Sequence, residues 1–464
     1  MAPAIDPRDQ RIADLEAKVA WLMERVAKLE AENAELRAQL RQNSQNSSKP
    51  PSSDPPGASR PAKDPTGRAP GGQPGHKGHK RERLEPDVVV ALRPEKCGGC
   101  GRRLRGSDPA PRRHQVVEIP PVKPYVNEYE IHELGCACGE RTRAELPAGV
   151  PAGGFGPRLT AMAAVCTGKY RMPKRAVQEL FADFFGLTVG LGTISKLERR
   201  VSEALATPVD EARAFVRAQP VIHPDETGWR EHGQKRWLWT AATDQVSVFH
   251  IDRSRGSVVA KALIGEDFAG TLVSDRWSAY AWVDASRRQL CWAHLIREFR
   301  GFEERDFLSM GFGESLLAEA KKMFRWWARV RDGTMSRVVF QRKMVKVEGA
   351  VGRLLRAAQV CSDERTGATC RDILRFEPAL WTFVRIDGVE PTNNLAERAL
   401  RTAVIWRKSS FGTWSAAGST FVARILTTIG SLKQQGRHAL AFVTEALLAA
   451  AHRREPPSLL PYGA

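Results

Sequence analysis

Asp225 in HPDETGW, Asp275 in SDRWSAY and Glu397 in PTNNLAERALR are the residues whose type and setting point most directly to chemistry. The two aspartates close apolar runs that read as strands, and the residues after Glu397 read as a helix. Carboxylates on neighbouring strand ends and one helix can converge on a pair of Mg2+ or Mn2+ ions, hard cations held by a few carboxylates together with phosphate oxygens. That layout suits in-line phosphoryl transfer. One ion lowers the pKa of an attacking water or 3′-hydroxyl, the other takes up charge on the leaving oxygen, and no covalent enzyme intermediate is needed. The chain has 53 Asp plus Glu, so any one acid alone is more ordinary as a cap or surface group; the three are singled out by their settings.

A second set is Cys97-Gly-Gly-Cys100 followed by Cys136-Ala-Cys138. Two thiolate pairs on Gly-containing turns are what a tetrahedral structural Zn2+ requires. HQVVEI and YVNEYEIHEL between them alternate apolar and polar residues around a Pro-Pro turn, which predicts two strands and a zinc ribbon over 91–146. The alternative, a redox CxxC, lacks a flanking βαβ pattern. Cys166, Cys291, Cys361 and Cys370 stand singly and read as structural.

Positive charge forms a third set. The formal net charge is +18, which calls for a polyanionic partner, nucleic acid first. From Lys49 to Arg113 there are 15 basic and 7 acidic residues; from Arg398 to Arg437 there are 7 basic residues and no acidic one. Solvated surfaces normally mix signs, so these windows read as ligand-facing. Arg398 and Arg401 follow Glu397 by a turn of helix and would meet phosphates, with Arg407 and Lys408 further along the same stretch. Asn393 and Asn394 precede that helix, where they would cap it or touch a DNA backbone.

The elements that must carry these residues are legible by period. The chain has 464 residues, enough for roughly three folded units. Ile12, Leu15, Val19, Leu22, Val26, Leu29, Asn33, Leu36 and Leu40 recur at steps of three and four, a heptad pattern over 1–45. β-Branched residues at a, Leu at d and Asn33 at an a position favour a parallel two-stranded coil, hence a dimer or higher self-assembly. Residues 46–90 are a Ser-, Pro-, Gly- and Lys/Arg-rich linker able to track a phosphate backbone, with His76 and His79 in it read first as part of a plain basic loop and second as metal ligands. Over 155–215, a helix from Lys174 to Phe185 stopped by Gly186 and another from about Thr193 suit either a helix-turn-helix or an ordinary helical hairpin. Strand-like runs begin near residue 219 and are broken by a short helix from Ser257. No apolar run reaches the ~18 residues of a membrane span, and MAPAIDPRDQ lacks a signal layout, so a cytoplasmic location on DNA is expected, with no membrane partner.

HPDETGWR, LVSDRWSAY, CWAHLIREFR and PTNNLAERALR, with GRAPGGQPGHKGHKR upstream, closely resemble the transposases of the insertion sequence 66 group. The signatures occur in order over nearly the whole chain. The resemblance implies a multidomain α+β or α/β protein with a ribonuclease H-like catalytic core and an Asp225-Asp275-Glu397 triad. The first Asp would lie on the first core strand, the second after the fourth, and the Glu on a later helix. The core would begin at 216–300 and resume at 390–464 with the Glu helix and basic C-terminal helices. The interval from Asp275 to Glu397, 122 residues, then contains a helical insertion over 301–389, with Trp326 and Trp327, that packs on the active site and touches DNA. His294 and Arg297 match the motif after the fifth strand, placed to contact the scissile phosphate or order the carboxylates; for His294 a hydrogen-bonded core role is the alternative. The activity implied is cleavage at element ends and joining of 3′-hydroxyls to target double-stranded DNA, with accessory proteins of the same element as further partners. A stand-alone nuclease of the same fold and a non-catalytic zinc- and zipper-containing DNA-binding regulator are the competing readings.

Overall fold

The computed structural model describes residues 7–47, 54, 76–78, 81–151 and 153–463. Most of the basic linker, including His79 and nearly all of GRAPGGQPGHKGHKR, lies outside the described residues. The heptad segment forms one helix, α1 (Pro7–Arg41). Ile12, Leu15, Val19, Leu22, Val26, Leu29 and Leu36 along it are all exposed in the single chain.

The cysteine segment departs from expectation. HQVVEI forms no strand, and of the second run only its end pairs, as β1 (Glu133–Gly135) with β2 (Arg141–Arg143), antiparallel. The physical reason is the lack of a covered face: Val116, Ile119, Tyr125 and Val126 stand in solvent, and an isolated ribbon that buries no face is marginal. The two turns themselves are formed. Cys97 N–H donates to Arg102 O (2.9 Å) and Gly101 N–H to Cys97 O (2.9 Å); Cys136 N–H donates to Glu140 O (2.7 Å) and Gly139 N–H to Cys136 O (2.9 Å).

Four helices follow: α2 (Pro157–Gly168), α3 (Lys174–Phe185), α4 (Leu191–Ala204) and α5 (Ala206–Arg217). Gly186 ends α3 in the left-handed conformation, φ 65°, as its place after the last apolar residue predicts. Val177, Phe181, Ile194 and Leu197 join α3 to α4, and Lys174 reaches Glu198 at 2.7 Å.

The central sheet contains β3 (Val221–Glu231), β4 (Gln234–Ala242), β5 (Ser247–Asp252), then, after α6 (Ser257–Ile264), β6 (Thr271–Ser274) and β7 (Arg288–Leu290). Its order is β5-β4-β3-β6-β7; β4 runs antiparallel to both its neighbours β5 and β3, while β6 runs parallel to β3 and β7 parallel to β6. The β3–β4 hairpin turns on His232 (φ 50°) and Gly233 (φ 74°), two consecutive positive-φ residues whose twist matches the strands. β3 pairs with β6 only at Val221 and Ile222, so beyond that point one side of β3 is left for another element.

After β7 come α7 (Trp292–Glu303), α8 (Phe307–Arg331), α9 (Arg337–Ala358), α10 (Glu364–Leu374) and α11 (Thr382–Arg385). Their core, with Phe299, Trp327, Phe340 and Phe383, is continuous with Val273 of β6 and Leu290 of β7. The chain closes with α12 (Asn394–Ser410), α13 (Ala416–Gln434) and α14 (Ala439–Ala451). α12 packs against β3 and β4, and α13 against β5. Thr427 and Ser431 of α13 accept hydrogen bonds from the backbone N–H groups of Phe249 (2.9 Å) and Ser247 (3.2 Å), which satisfies the outer edge of the sheet.

Candidate active site

Three elements carry the acids. Asp225 sits on β3 just past the last β6 pairing, Asp275 directly follows β6, and Glu397 lies in the first turn of α12. Asp225 keeps part of its surface toward solvent, yet its carboxyl is pushed well above the usual carboxylate range. Burial is the main cause, followed by the negative charges of Glu226, Asp275 and Glu397. A carboxylate that feels three others gains from any cation placed among them.

Backbone contacts fix the aspartates. Glu226 N–H donates to Asp225 Oδ1 at 2.8 Å, and Trp277 N–H to Asp275 Oδ1 at 2.9 Å. Arg288, fully buried on β7, donates to Asp275 O at 3.0 Å and to Ser274 Oγ at 3.2 Å. Beside Glu397 Oε1 stand Arg297 Nη2 at 3.5 Å and His294 Nε2 at 3.6 Å. The pKa of His294 is lowered to about 4 by burial and then by Arg297, so at neutral pH Arg297 supplies the charge there. His294 is thus a neighbour of the acid and no sealed core histidine.

Asn393 corrects its expected role. It occupies the position before α12, but φ −87° and ψ 26° turn its side chain away from capping. Its amide instead donates to Pro224 O (2.7 Å) and meets His223 Nδ1 (3.2 Å), while its backbone N–H donates to Cys291 Sγ (3.2 Å). Being buried and fully engaged, it clasps α12 to β3 and has no surface for DNA. Arg407 likewise turns inward, onto Thr227 Oγ1 (3.2 Å) and Gly228 O of β3. Asn394, Arg398, Arg401 and Lys408 are exposed on α12.

Sequence reasoning missed a supporting network. Glu226 is buried with its pKa raised to about 7, by burial first and Asp275 next. Tyr280 OH donates to it at 2.6 Å, and Arg255 lies 2.8 Å away. Arg255 is sandwiched between the rings of Trp237 (4.6 Å) and Trp277 (3.7 Å). The only local signal was the acidic pair in HPDET; Arg255 and Tyr280 come from distant positions that no spacing rule connects.

Among the described residues, no group of three or more His, Cys, Asp or Glu stands ready-made at metal-ligand spacing. For the acids, the donor set is hard, oxygen-only and mutually repelling, which fits a divalent cation that draws them together. For the cysteines, each turn pairs its own thiols: hydrogen bonds from Cys100 and then Gly99 lower the Cys97 pKa, and those from Cys138 lower that of Cys136. The two turns do not converge into one four-sulfur group. All eight cysteines are free thiols.

Residues 152–420 match the family described as "Transposase IS66 family", and residues 4–82 match a family of unknown function, DUF6444. Two relatives come from Sinorhizobium fredii (strain NBRC 101917 / NGR234). The uncharacterized protein y4qI is 25% identical over 46% of this chain and 43% of its own length. The uncharacterized protein y4jD is 23% identical over 78% of this chain and 76% of its own. The chain thus spans less than half of the first relative and about three quarters of the second.

Proposed function

The chain belongs to the IS66 family of transposases, and from that premise we propose that it binds the ends of its element, cleaves DNA and joins the 3′-hydroxyl ends to target DNA. The observation that carries the reading is the shared electrostatic environment of Asp225, Asp275 and Glu397. The strand order β5-β4-β3-β6-β7, with one acid on the first core strand, one after the fourth and one on a later helix, supports a ribonuclease H-like core.

Asp225, Asp275 and Glu397 would hold Mg2+ or Mn2+, which when bound supplies an acidified nucleophile and a sink for leaving-group charge. The chain's own residues do the positioning. Glu226 N–H and Trp277 N–H orient the two aspartates. Arg297 offsets part of the Glu397 charge and can turn to a bound phosphate. The exposed Arg398, Arg401 and Lys408 lead DNA to the acids. α1 would pair two protomers through its exposed heptad face so that both ends are held before cleavage, and Cys97, Cys100, Cys136 and Cys138 would hold a structural Zn2+ once the metal draws their two turns together.

The test is Mg2+-dependent strand transfer on labelled end DNA. Asp225→Asn, Asp275→Asn and Glu397→Gln are each expected to lower it at least about a hundredfold while DNA binding persists. Variants that keep full strand transfer would remove these acids from the chemistry, and a wild type that binds end DNA but neither cuts nor joins it would favour the non-catalytic regulator. Nicked DNA without joined product would favour the nuclease.

A further inference from the structure

α12 does more than carry Glu397. Its exposed face is a row at helical spacing, Arg398, Arg401, Ile405 and Lys408, and no cation in this row makes an ion pair among the described residues. The row ends at Phe411 and Trp414, 79% and 78% exposed.

These rings are held in place. Thr413 between them donates its N–H to Arg230 O (2.9 Å) and accepts from His232 N–H (2.9 Å), so the loop is stitched to the β3–β4 hairpin. Trp414 stacks edge-on against His232 at 4.5 Å. Gly412 is required for this approach, since a Cβ there would stand 2.2 Å from Arg230 O. Phe411 has φ 59°, a conformation ordinary for Gly or Asn and costly for a bulky residue, and it gains no burial in return. An exposed aromatic pair on a loop stitched to the sheet, beside unpaired cations, has the composition of a base-stacking platform.

We propose that Phe411 and Trp414 form a stacking station for unpaired bases of the DNA strand that α12 guides to the acids. This deepens the transposase reading and rests on it. In an intact duplex the faces of internal bases are covered by their neighbours, so these rings engage bases that have left the stack. From Glu397 to Phe411 the helix rises about 21 Å, which corresponds to about six nucleotides of a strand in B-form register. The station therefore acts on DNA flanking the reacting phosphate, while the chemistry stays with the carboxylates.

The test compares binding of the full chain to a blunt duplex and to a forked duplex of the same sequence bearing a single-stranded oligothymidine arm. The fork is expected to bind more tightly. Trp414→Ala and Phe411→Asn should each reduce that preference at least about fivefold and leave blunt-duplex affinity and solution mass unchanged. An iodouracil placed in the arm should photocrosslink within 411–414. Equal affinity for the two DNAs in the wild type, or a preference that survives both variants, would overturn the station. A fall in solution mass with Trp414→Ala would instead assign the patch to a second copy of the chain. Asp225→Asn separates the two claims: it removes strand transfer if the catalytic reading holds and leaves the fork preference as it was.

Discussion

His223 and Glu226 flank Asp225, and their protons pull stability in opposite directions. Burial lowers the His223 pKa to about 4 from an ordinary 6.5. Between those values the unfolded chain takes up a proton that the folded chain refuses. This contribution is therefore complete above pH 6.5 and is lost as pH falls, by about 2 kcal/mol between pH 7 and 5. Glu226 is raised to about 7 from 4.5, so its contribution is present at low pH and is lost as pH rises through that interval. In the wild type the two largely offset. Glu226→Gln should steepen the fall in thermal midpoint from pH 7 to pH 5, and His223→Gln should flatten it. If both variants track the wild type in pH-dependent melting, neither group titrates as its surroundings dictate.

Elements differ in how openly the sequence displays them. The heptad of α1, the Gly186 stop of α3 and the end of β6 just before Asp275 were legible because each depends on a local period or a single residue with one steric role. Asp225, by contrast, read as closing a strand, lies midway along β3, which runs on to Glu231 in the hairpin with β4. The clasp of Asn393 on Pro224 was not legible, because position alone assigns Asn to capping and its partner lies 169 residues away. The burial of Glu226 depends on Tyr280 and Arg255, 54 and 29 residues distant, for the same reason. In the cysteine segment the turns were legible and the pairing of the runs between them was not, since alternation predicts a strand only where one face can be covered. The two turns give an element-scale prediction. Freshly purified protein should contain about one zinc per chain by atomic absorption, falling in Cys97→Ser. Metal-free wild-type protein would remove zinc from the account.

For the molecule as a whole, the +18 charge acts through its placement. If Arg398, Arg401 and Lys408 each neutralise one phosphate, replacing all three by Gln should reduce the slope of log affinity against log salt by about 2.7. Binding isotherms at several salt concentrations measure this, and an unchanged slope would place the DNA path elsewhere. The three acids are also tied into the molecule by two sets of contacts. β3 and α12 are bolted together by Asn393 at one end, Arg407 in the middle and Thr413 at the far end, so Asp225 and Glu397 share one frame. Asp275 joins that frame through the pairing of β6 with β3 and has a second anchor, Arg276 beside it, which ties to Glu298 of α7 and to Asp372 of α10. The seating of α7 is therefore felt at two of the three acids, at Asp275 through the Arg276–Glu298 pair and at Glu397 through Arg297 and His294.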